Sequence, residues 1–85
     1  MKHIIFILGF FILSSLCSYS QITPEEYLKK GDSFCKLKNY DNTIEQYDKA
    51  IKFKSDFAIA YINKGQALEF KRKFEEAIDN YNILL

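Results

Sequence analysis

The residues that could do chemistry are few and lie far apart along the chain. The sequence holds one histidine, His3, and two cysteines, Cys17 and Cys35. Ser-His-Asp and Cys-His catalysis need an imidazole base beside the nucleophile, and His-based zinc sites need several ligands together. If the first 20 residues are removed, as argued below, no imidazole and only one thiol remain. All of these sites are therefore excluded from the mature chain.

Pairs of charged side chains are better explained by helix ends than by catalysis. Glu25 and Glu26, and again Glu75 and Glu76, fall in the first turn of an expected helix, where acidic side chains favour the helix dipole. Acid–base chemistry would need a pocket that so short a chain can hardly form. The basic run at residues 71–73 is interpreted as a solvated turn, with a phosphate or partner contact as the alternative.

Length, glycine positions and charge exclude further classes of protein. The glycines lie at positions 9, 31 and 65, so the sequence contains no glycine-rich phosphate-binding loop. Its 85 residues allow one small domain, and a formal net charge of +1 gives no electrostatic argument for binding nucleic acid. We therefore expect a protein that is not an enzyme, with no metal, no cofactor and no nucleic-acid partner.

The N-terminal segment has the pattern of a secretory signal peptide. A positive charge at Lys2 precedes an uncharged, mostly apolar stretch over residues 4–16. Small side chains at Ser18 and Ser20 then stand at −3 and −1 of a cut before Gln21. A membrane-spanning helix needs about 20 apolar residues, so an uncleaved anchor is the weaker alternative. The expected location is the periplasm or the cell exterior, with membrane contact only through the signal.

A lipid anchor on Cys17 is a further alternative, and the residue before it argues against it. The lipoprotein signal requires a small residue at that place, which Leu16 occupies. We therefore assign residues 1–20 to the signal and residues 21–85 to a mature domain with 11 basic and 11 acidic side chains. Its one cysteine, Cys35, is either a buried apolar side chain or a free thiol able to pair with another chain.

The mature chain repeats itself with a period of 34 residues. The identical pairs are Tyr27 and Tyr61, Lys30 and Lys64, Gly31 and Gly65, Ile44 and Ile78, and Tyr47 and Tyr81. Most of these identities fall on the apolar and glycine positions that packing would fix. A period of this length indicates stacked supersecondary units.

Each unit predicts two helices joined by a short turn. Thr23 as N-cap, Pro24 at the first helical position and Glu26 in a capping box predict where the first helix begins. Apolar side chains then recur at helical spacing through each half-unit. The turns are expected at residues 36–39, 54–56 and 71–73. Ser55 or Asp56 is expected to cap the third helix. The prediction is an all-α chain of four helices in two hairpins.

These residues resemble the tetratricopeptide repeat (TPR), a 34-residue helix-turn-helix unit. The first copy of its pattern is matched by Tyr27, Lys30, Gly31, Phe34, Tyr40, Thr43, Tyr47 and Ala50, and the second by Tyr61, Lys64, Gly65, Leu68, Phe74, Ala77 and Tyr81. The resemblance implies an α-α superhelix, with repeat one at residues 24–57 and an incomplete repeat two at residues 58–85. Ser55 and Leu84 depart from the pattern, since they stand where the family usually has Pro and Ala.

Small residues and tyrosines have distinct expected roles in such packing. Gly31 and Gly65 would let the two helices of a hairpin approach closely, and the small side chains of Thr43 and Ala77 would do the same from the other side. Tyr47 and Tyr81 are expected to fill the space between successive units.

The resemblance implies a module that binds a protein or peptide along a concave surface, lined by the first helix of each unit. The positions carried over are Leu28, Asp32, Cys35, Ile59, Ile62, Gln66 and Phe70, flanked by Glu25, Lys36 and Glu69. Family members that grip C-terminal carboxylates use Lys and Asn where this chain has Leu28 and Asp32, so that clamp is absent. The apolar members of the set favour a hydrophobic segment or helix as ligand. The alternative is that they pack against a neighbouring helix.

The end of the fourth helix suggests a second role. Repeat arrays generally need about three units and a polar capping helix, and this sequence has two units followed by Leu84 and Leu85. We therefore hold open two further interpretations: a structural unit that associates with a copy of itself, or an N-terminal fragment of a longer array.

Overall fold

The structure, a computed structural model, describes residues 22–85, and the predicted signal peptide at residues 1–20 lies outside the described residues. Four helices follow one another: α1 is Pro24–Lys36, α2 is Tyr40–Phe53, α3 is Ala58–Phe70 and α4 is Phe74–Asn82. The described residues contain no β-strand. The prediction of an all-α superhelix made of two helix-turn-helix units is confirmed.

Helix α1 begins where the sequence predicts. The Oγ1 atom of Thr23 accepts a hydrogen bond from the backbone N–H of Glu26 at 3.2 Å, and Pro24 follows the cap directly. Helix α2 begins in the same way, since Oδ1 of Asn39 accepts from the backbone N–H of Asn42 at 3.4 Å. In both cases a side-chain oxygen satisfies an N–H group that the helix itself leaves without a partner.

The predicted cap of the third helix is wrong. Ser55 and Asp56 both lie in the turn before α3, and Phe57 occupies the N-cap position without a side-chain hydrogen bond. Phe57 is buried against Ala50 and Ala60. Burial of this aromatic ring, rather than a polar cap, therefore fixes the start of α3.

The turns inside the two hairpins have the same geometry. Lys38 and Arg72, which are 34 positions apart, adopt left-handed backbone conformations with φ of 59° and 63°. After each of them, a backbone N–H returns to the preceding helix: that of Asn39 donates to the carbonyl of Phe34 at 2.9 Å, and that of Lys73 to Leu68 at 2.8 Å. Such bonds close a helix C-terminus, so the repeat extends to the backbone of its turns.

The two helices of each hairpin meet at a glycine and a tyrosine. The ring of Tyr47 packs on Gly31, and the ring of Tyr81 packs on Gly65. We expected these rings between successive units, whereas each lies against the glycine of its own hairpin. The space that each glycine leaves by lacking a side chain is therefore occupied by the tyrosine ring of the same hairpin.

The two hairpins join through α2 and α3. A buried cluster of Ala50, Phe57 and Ala60 lies at this junction, and Tyr27, Leu28 and Ile51 pack against it. The rings of Tyr40 and Phe70 stack with centroids 5.2 Å apart. Lys64 pairs with Asp48 at 2.6 Å, and Lys71 pairs with Asp41. Apolar burial therefore forms the junction, and ion pairs border it.

Within residues 22–85, no helix is long and apolar enough to cross a membrane.

Candidate partner-binding groove

The first helices of the two units, α1 and α3, border a groove whose floor includes one side chain of α2. We call it the α1–α3 groove, and it encloses a volume of about 220 Å³. Its lining residues are Asp32, Cys35, Lys36, Tyr47, Asn63 and Gln66. Four of the six side chains, Asp32, Lys36, Asn63 and Gln66, carry polar groups that can hydrogen-bond to a polypeptide.

Asp32 lies at the centre of the groove and ties three helices together. Its Oδ1 atom accepts a hydrogen bond from the hydroxyl of Tyr47 on α2 and another from Nδ2 of Asn63 on α3, at 3.4 Å. The first of these bonds crosses a hairpin, and the second crosses the boundary between the two units. The carboxylate therefore has a fixed position, which is what a recognition site needs.

The Tyr47 hydroxyl stays protonated at neutral pH. Burial, followed by the hydrogen bond to Asp32, raises the pKa of the phenol well above its usual value of 10.0. The phenol is therefore a hydrogen-bond donor to Asp32 and not a base or a nucleophile at neutral pH.

Four of the sequence-predicted positions meet in the groove: Asp32, Cys35, Gln66 and the flanking Lys36. Asp32 and Cys35 come from consecutive turns of α1, and Gln66 faces them from α3. Cys35 carries a free, half-buried thiol at this surface. Of the two alternatives that the sequence leaves open for Cys35, a buried apolar side chain describes it only in part, because the thiol is half-buried.

The apolar positions of the predicted site lie outside the lining of the groove. Leu28 packs against the junction cluster of α2 and α3, and the Phe70 ring stacks on Tyr40. Leu28 therefore packs against a neighbouring helix, the alternative that the sequence left open, whereas Phe70 makes one such contact and is still 62% exposed. Ile62 is half-buried and Ile59 is 43% exposed, so part of both side chains is accessible on α3.

Sequence reasoning missed two lining residues, Tyr47 and Asn63. A signal for Tyr47 exists in the sequence, because Tyr47 and Tyr81 are identical residues 34 positions apart. In the structure Tyr47 packs on Gly31, which is also repeated. Asn63 gives no such signal, since the equivalent position in the first unit is Lys29. Only the three-dimensional approach of α3 to α1 brings it to Asp32.

A second concavity, of about 460 Å³, lies at the start of α4. Its lining consists of Arg72, Lys73, Phe74, Glu75 and Glu76, which are consecutive in the chain. It is therefore the surface of one turn and helix start rather than a site formed between elements. Across residues 22–85, no three or more His, Cys, Asp or Glu side chains come together in a way that could hold a metal ion.

Two paired helix hairpins, with a groove between their first helices, define a helical repeat architecture. Residues 31–69, from Gly31 in α1 to Glu69 in α3, match the family model described as TPR repeat. This match supports a place in the TPR family, whose repeats are typically non-catalytic scaffolds that bind other proteins. No solved structure matches the chain.

Proposed function

We propose that this chain is a non-catalytic scaffold or adaptor that binds a peptide or a segment of a partner protein in the α1–α3 groove. The observation that carries the proposal is the fixed carboxylate of Asp32, held by donors from α2 and α3 between the two first helices. The TPR match over residues 31–69 supports the same class of function.

The chemistry of the groove restricts the ligand. A terminal carboxylate of a ligand would meet the negative charge of Asp32, so a C-terminal peptide end is a poor ligand. Ile59 and Ile62 stand one helical turn before the lining residues Asn63 and Gln66 on α3, and both are partly accessible. An apolar side chain of the ligand could bury against them. The ligand proposed is therefore an apolar segment or helix that presents hydrogen-bond donors, and no carboxylate, towards Asp32.

The proposal that the module has no enzymatic activity follows from the same side chains. The groove offers a protonated phenol, a carboxylate already bonded to it and a single thiol. No histidine occurs after residue 3, so none of these groups has an imidazole beside it in the mature chain. Neither acid–base nor nucleophilic catalysis has its usual pair of groups here.

We also propose export, on the pattern of residues 1–20. The uncharged stretch after Lys2 and the small residues Ser18 and Ser20 support cleavage before Gln21. N-terminal sequencing of the chain recovered from outside the cytoplasm tests this. A mature protein that begins at Gln21 supports export with cleavage, and a chain that keeps Lys2 contradicts the cleavage. Absence of the chain from outside the cytoplasm contradicts export.

Peptide selection tests groove binding directly. The full chain is presented to a random peptide library, and affinities of selected peptides are measured for the chain and for Ile62→Asp. We expect peptides with apolar residues to be enriched, and Ile62→Asp to abolish binding while helicity stays intact. The matched control is Ile78→Asp on α4, which carries the same change outside the groove and should keep full affinity. Loss of helicity together with binding in Ile62→Asp would refute the assignment.

A second candidate function is association through the outer side of α4, with a copy of the chain or with a further helix. Phe74 and Ile78 are 52% and 55% exposed there, so a row of large apolar side chains is open to a partner. Light scattering over a concentration series tests for self-association, which Leu84→Lys should weaken. A stable monomer at high concentration contradicts self-association, and leaves a further helix as the partner.

A further inference from the structure

Each hairpin holds one carboxylate of its first helix with a tyrosine hydroxyl from its second helix. In the first unit the Tyr47 hydroxyl donates to Oδ1 of Asp32 on α1. In the second unit the Tyr81 hydroxyl donates to Oε2 of Glu69 on α3, at 3.1 Å. The two tyrosines are 34 positions apart, so the internal repeat places one tyrosine-bound carboxylate in each unit.

Both carboxylates belong to the surface that contains the α1–α3 groove. Asp32 lines the groove and is half-buried. Glu69 is exposed and follows the lining residue Gln66 by three positions, so Gln66 and Glu69 are neighbours on the surface of α3. A ligand that lies in the groove and reaches both units therefore meets two negative charges.

Neither carboxylate has a positively charged partner within residues 22–85. The ion pairs of this part of the chain involve other acids, and Lys36, the basic side chain in the lining of the groove, forms none of them. The donors to Oδ1 of Asp32 are the Tyr47 hydroxyl and the Asn63 amide, which are both uncharged. No group of residues 22–85 donates to the Oδ2 atom of Asp32. That oxygen is therefore free to accept a hydrogen bond from a ligand.

The negative charge of Asp32 determines which donor suits its Oδ2 atom. A ligand that covers the groove removes water from the carboxylate, and a charge that loses its water is strongly destabilised unless an opposite charge replaces that water. A backbone N–H or a hydroxyl of the ligand would supply a hydrogen bond but no charge. A guanidinium or ammonium group supplies both, and its hydrogen bonds to a carboxylate are about twice as strong as uncharged ones.

We propose that the ligand of the α1–α3 groove is a basic amphipathic segment of a partner polypeptide, whose arginine or lysine side chain pairs with Oδ2 of Asp32. A second cation of the segment pairs with Glu69, and its apolar side chains bury against Ile59 and Ile62. This inference rests on the proposed function of the groove and adds the charge of the partner to it.

A peptide library with arginine as its only basic residue tests the charge of the ligand. The full chain selects from short random peptides with amidated C-termini, and affinities are measured by fluorescence anisotropy. Each arginine of a selected peptide is then exchanged singly for citrulline, which keeps the shape of the side chain and removes its charge. We expect arginine to be enriched among the selected peptides, and exchange of the arginine that pairs with Asp32 to weaken binding at least about tenfold. Higher salt should weaken the arginine peptides more than the citrulline peptides, because salt screens ion pairs.

Variants of the chain identify the carboxylate that pairs with the arginine. Asp32→Asn keeps Oδ1 as an acceptor for Tyr47 and Asn63 and removes the charge, so helicity should stay intact. In this variant, exchange of the same arginine for citrulline should change the affinity less than about twofold. The matched control is Asp79→Asn, which makes the same substitution at an exposed position of α4 and should keep the full tenfold difference. Glu69→Gln should remove the smaller effect of exchanging a second arginine.

Lys36→Gln should change the affinity in the opposite direction. Lys36 stands four positions after Asp32 on α1, and its positive charge repels a cation of the ligand. Its removal should tighten binding of the arginine peptides about twofold and leave the citrulline peptides unchanged. Weaker binding of the arginine peptides by Lys36→Gln would show that Lys36 supplies the opposite charge to Asp32, and would overturn the proposal.

Further outcomes separate the charge of the ligand from groove binding itself. Ile62→Asn removes an apolar contact of the groove without adding a charge. Peptides that lose affinity for Ile62→Asn, but contain no excess of arginine and bind Asp32→Asn as tightly as the original chain, contradict a basic ligand and support groove binding. Peptides that keep full affinity for Ile62→Asn bind elsewhere and contradict both, as does the failure to select any peptide.

Discussion

The ring of Tyr47 occupies the space that a β-carbon would need at Gly31. A β-carbon built on Gly31 lies 2.6 Å from Cδ1 of Tyr47, much closer than carbon atoms approach in proteins. Tyr47 is only 2% exposed, and its hydroxyl is held by Asp32. The ring cannot withdraw without breaking that hydrogen bond, so the glycine is required by packing rather than by backbone conformation.

Gly31→Ala is therefore expected to destabilise the chain. Alanine gains about 1 kcal/mol over glycine inside a helix, but overpacking of a buried site typically costs about 1–3 kcal/mol. Loss of the Tyr47–Asp32 hydrogen bond adds about 1 kcal/mol. We expect a net loss of about 2 kcal/mol in the free energy of unfolding, measured by urea denaturation followed by circular dichroism.

Gly65→Ala provides the matched control. Its β-carbon would lie 2.6 Å from Cζ of Tyr81, a similarly close approach. Tyr81 is half-buried at the open end of the structure, and its hydroxyl bonds to the exposed Glu69 at 3.1 Å. Its ring can rotate outwards, so the cost should be at least about 1 kcal/mol smaller than at Gly31. Equal losses at the two glycines would contradict this explanation.

Lys73→Asn is expected to stabilise α4. Lys73 stands at the N-cap position with φ −94° and ψ 69°, and its side chain makes no capping hydrogen bond. Asn39, at the equivalent position of α2, has φ −90° and ψ 74° and caps with its Oδ1 atom. Asparagine therefore fits the backbone at residue 73, and a new cap should add about 1 kcal/mol to the free energy of unfolding.

Two further variants separate capping from charge. Lys73→Ala removes the positive charge next to the helix N-terminus without supplying a cap, so it should give less than half of the gain of Lys73→Asn. Asn39→Ala should lose about 1 kcal/mol. The capping explanation is wrong if Lys73→Ala and Lys73→Asn stabilise equally in the same urea titration.

Those parts of the fold that depend on local pattern could be predicted from the sequence. Thr23 caps α1 as expected, because the cap is formed by residues three positions apart. The 34-residue period shows that a glycine and a tyrosine recur in each unit. It does not show which neighbouring residue each tyrosine ring contacts. The cap of α3 failed because burial of Phe57 outweighs the polar preference of Ser55 and Asp56.

The candidate groove was less predictable than the fold. Asp32 and Gln66 could be assigned to the groove, because their positions on the first helix of a repeat are sufficient for that assignment. Asn63 could not, because its contact with Asp32 depends on how closely α3 approaches α1, which no local pattern specifies. The exposure of Cys35 likewise depends on how closely α3 approaches α1, because the position of Cys35 along α1 does not by itself determine its burial.

The Tyr47–Asp32 contact makes stability depend on alkaline pH. Burial and the hydrogen bond to Asp32 raise the pKa of Tyr47 in the folded chain above its usual value of 10.0. Above pH 10 the unfolded phenol loses its proton while the folded phenol keeps it, so the unfolded chain binds fewer protons. The contribution is therefore complete below pH 10 and is lost as pH rises further, at a rate of at most about 1.4 kcal/mol per pH unit.

Urea denaturation of the chain and of Tyr47→Phe at pH 9 and pH 11 measures this dependence. The chain should lose more free energy of unfolding between the two pH values than Tyr47→Phe, because phenylalanine has no proton to lose. Other pH-dependent contributions, that of the Tyr81 phenol among them, are common to both proteins and cancel in the comparison. An equal loss of free energy of unfolding in both proteins would show that the Tyr47 phenol ionises alike in the folded and the unfolded chain. The hydrogen bond to Asp32 would then not retain the proton of the Tyr47 hydroxyl.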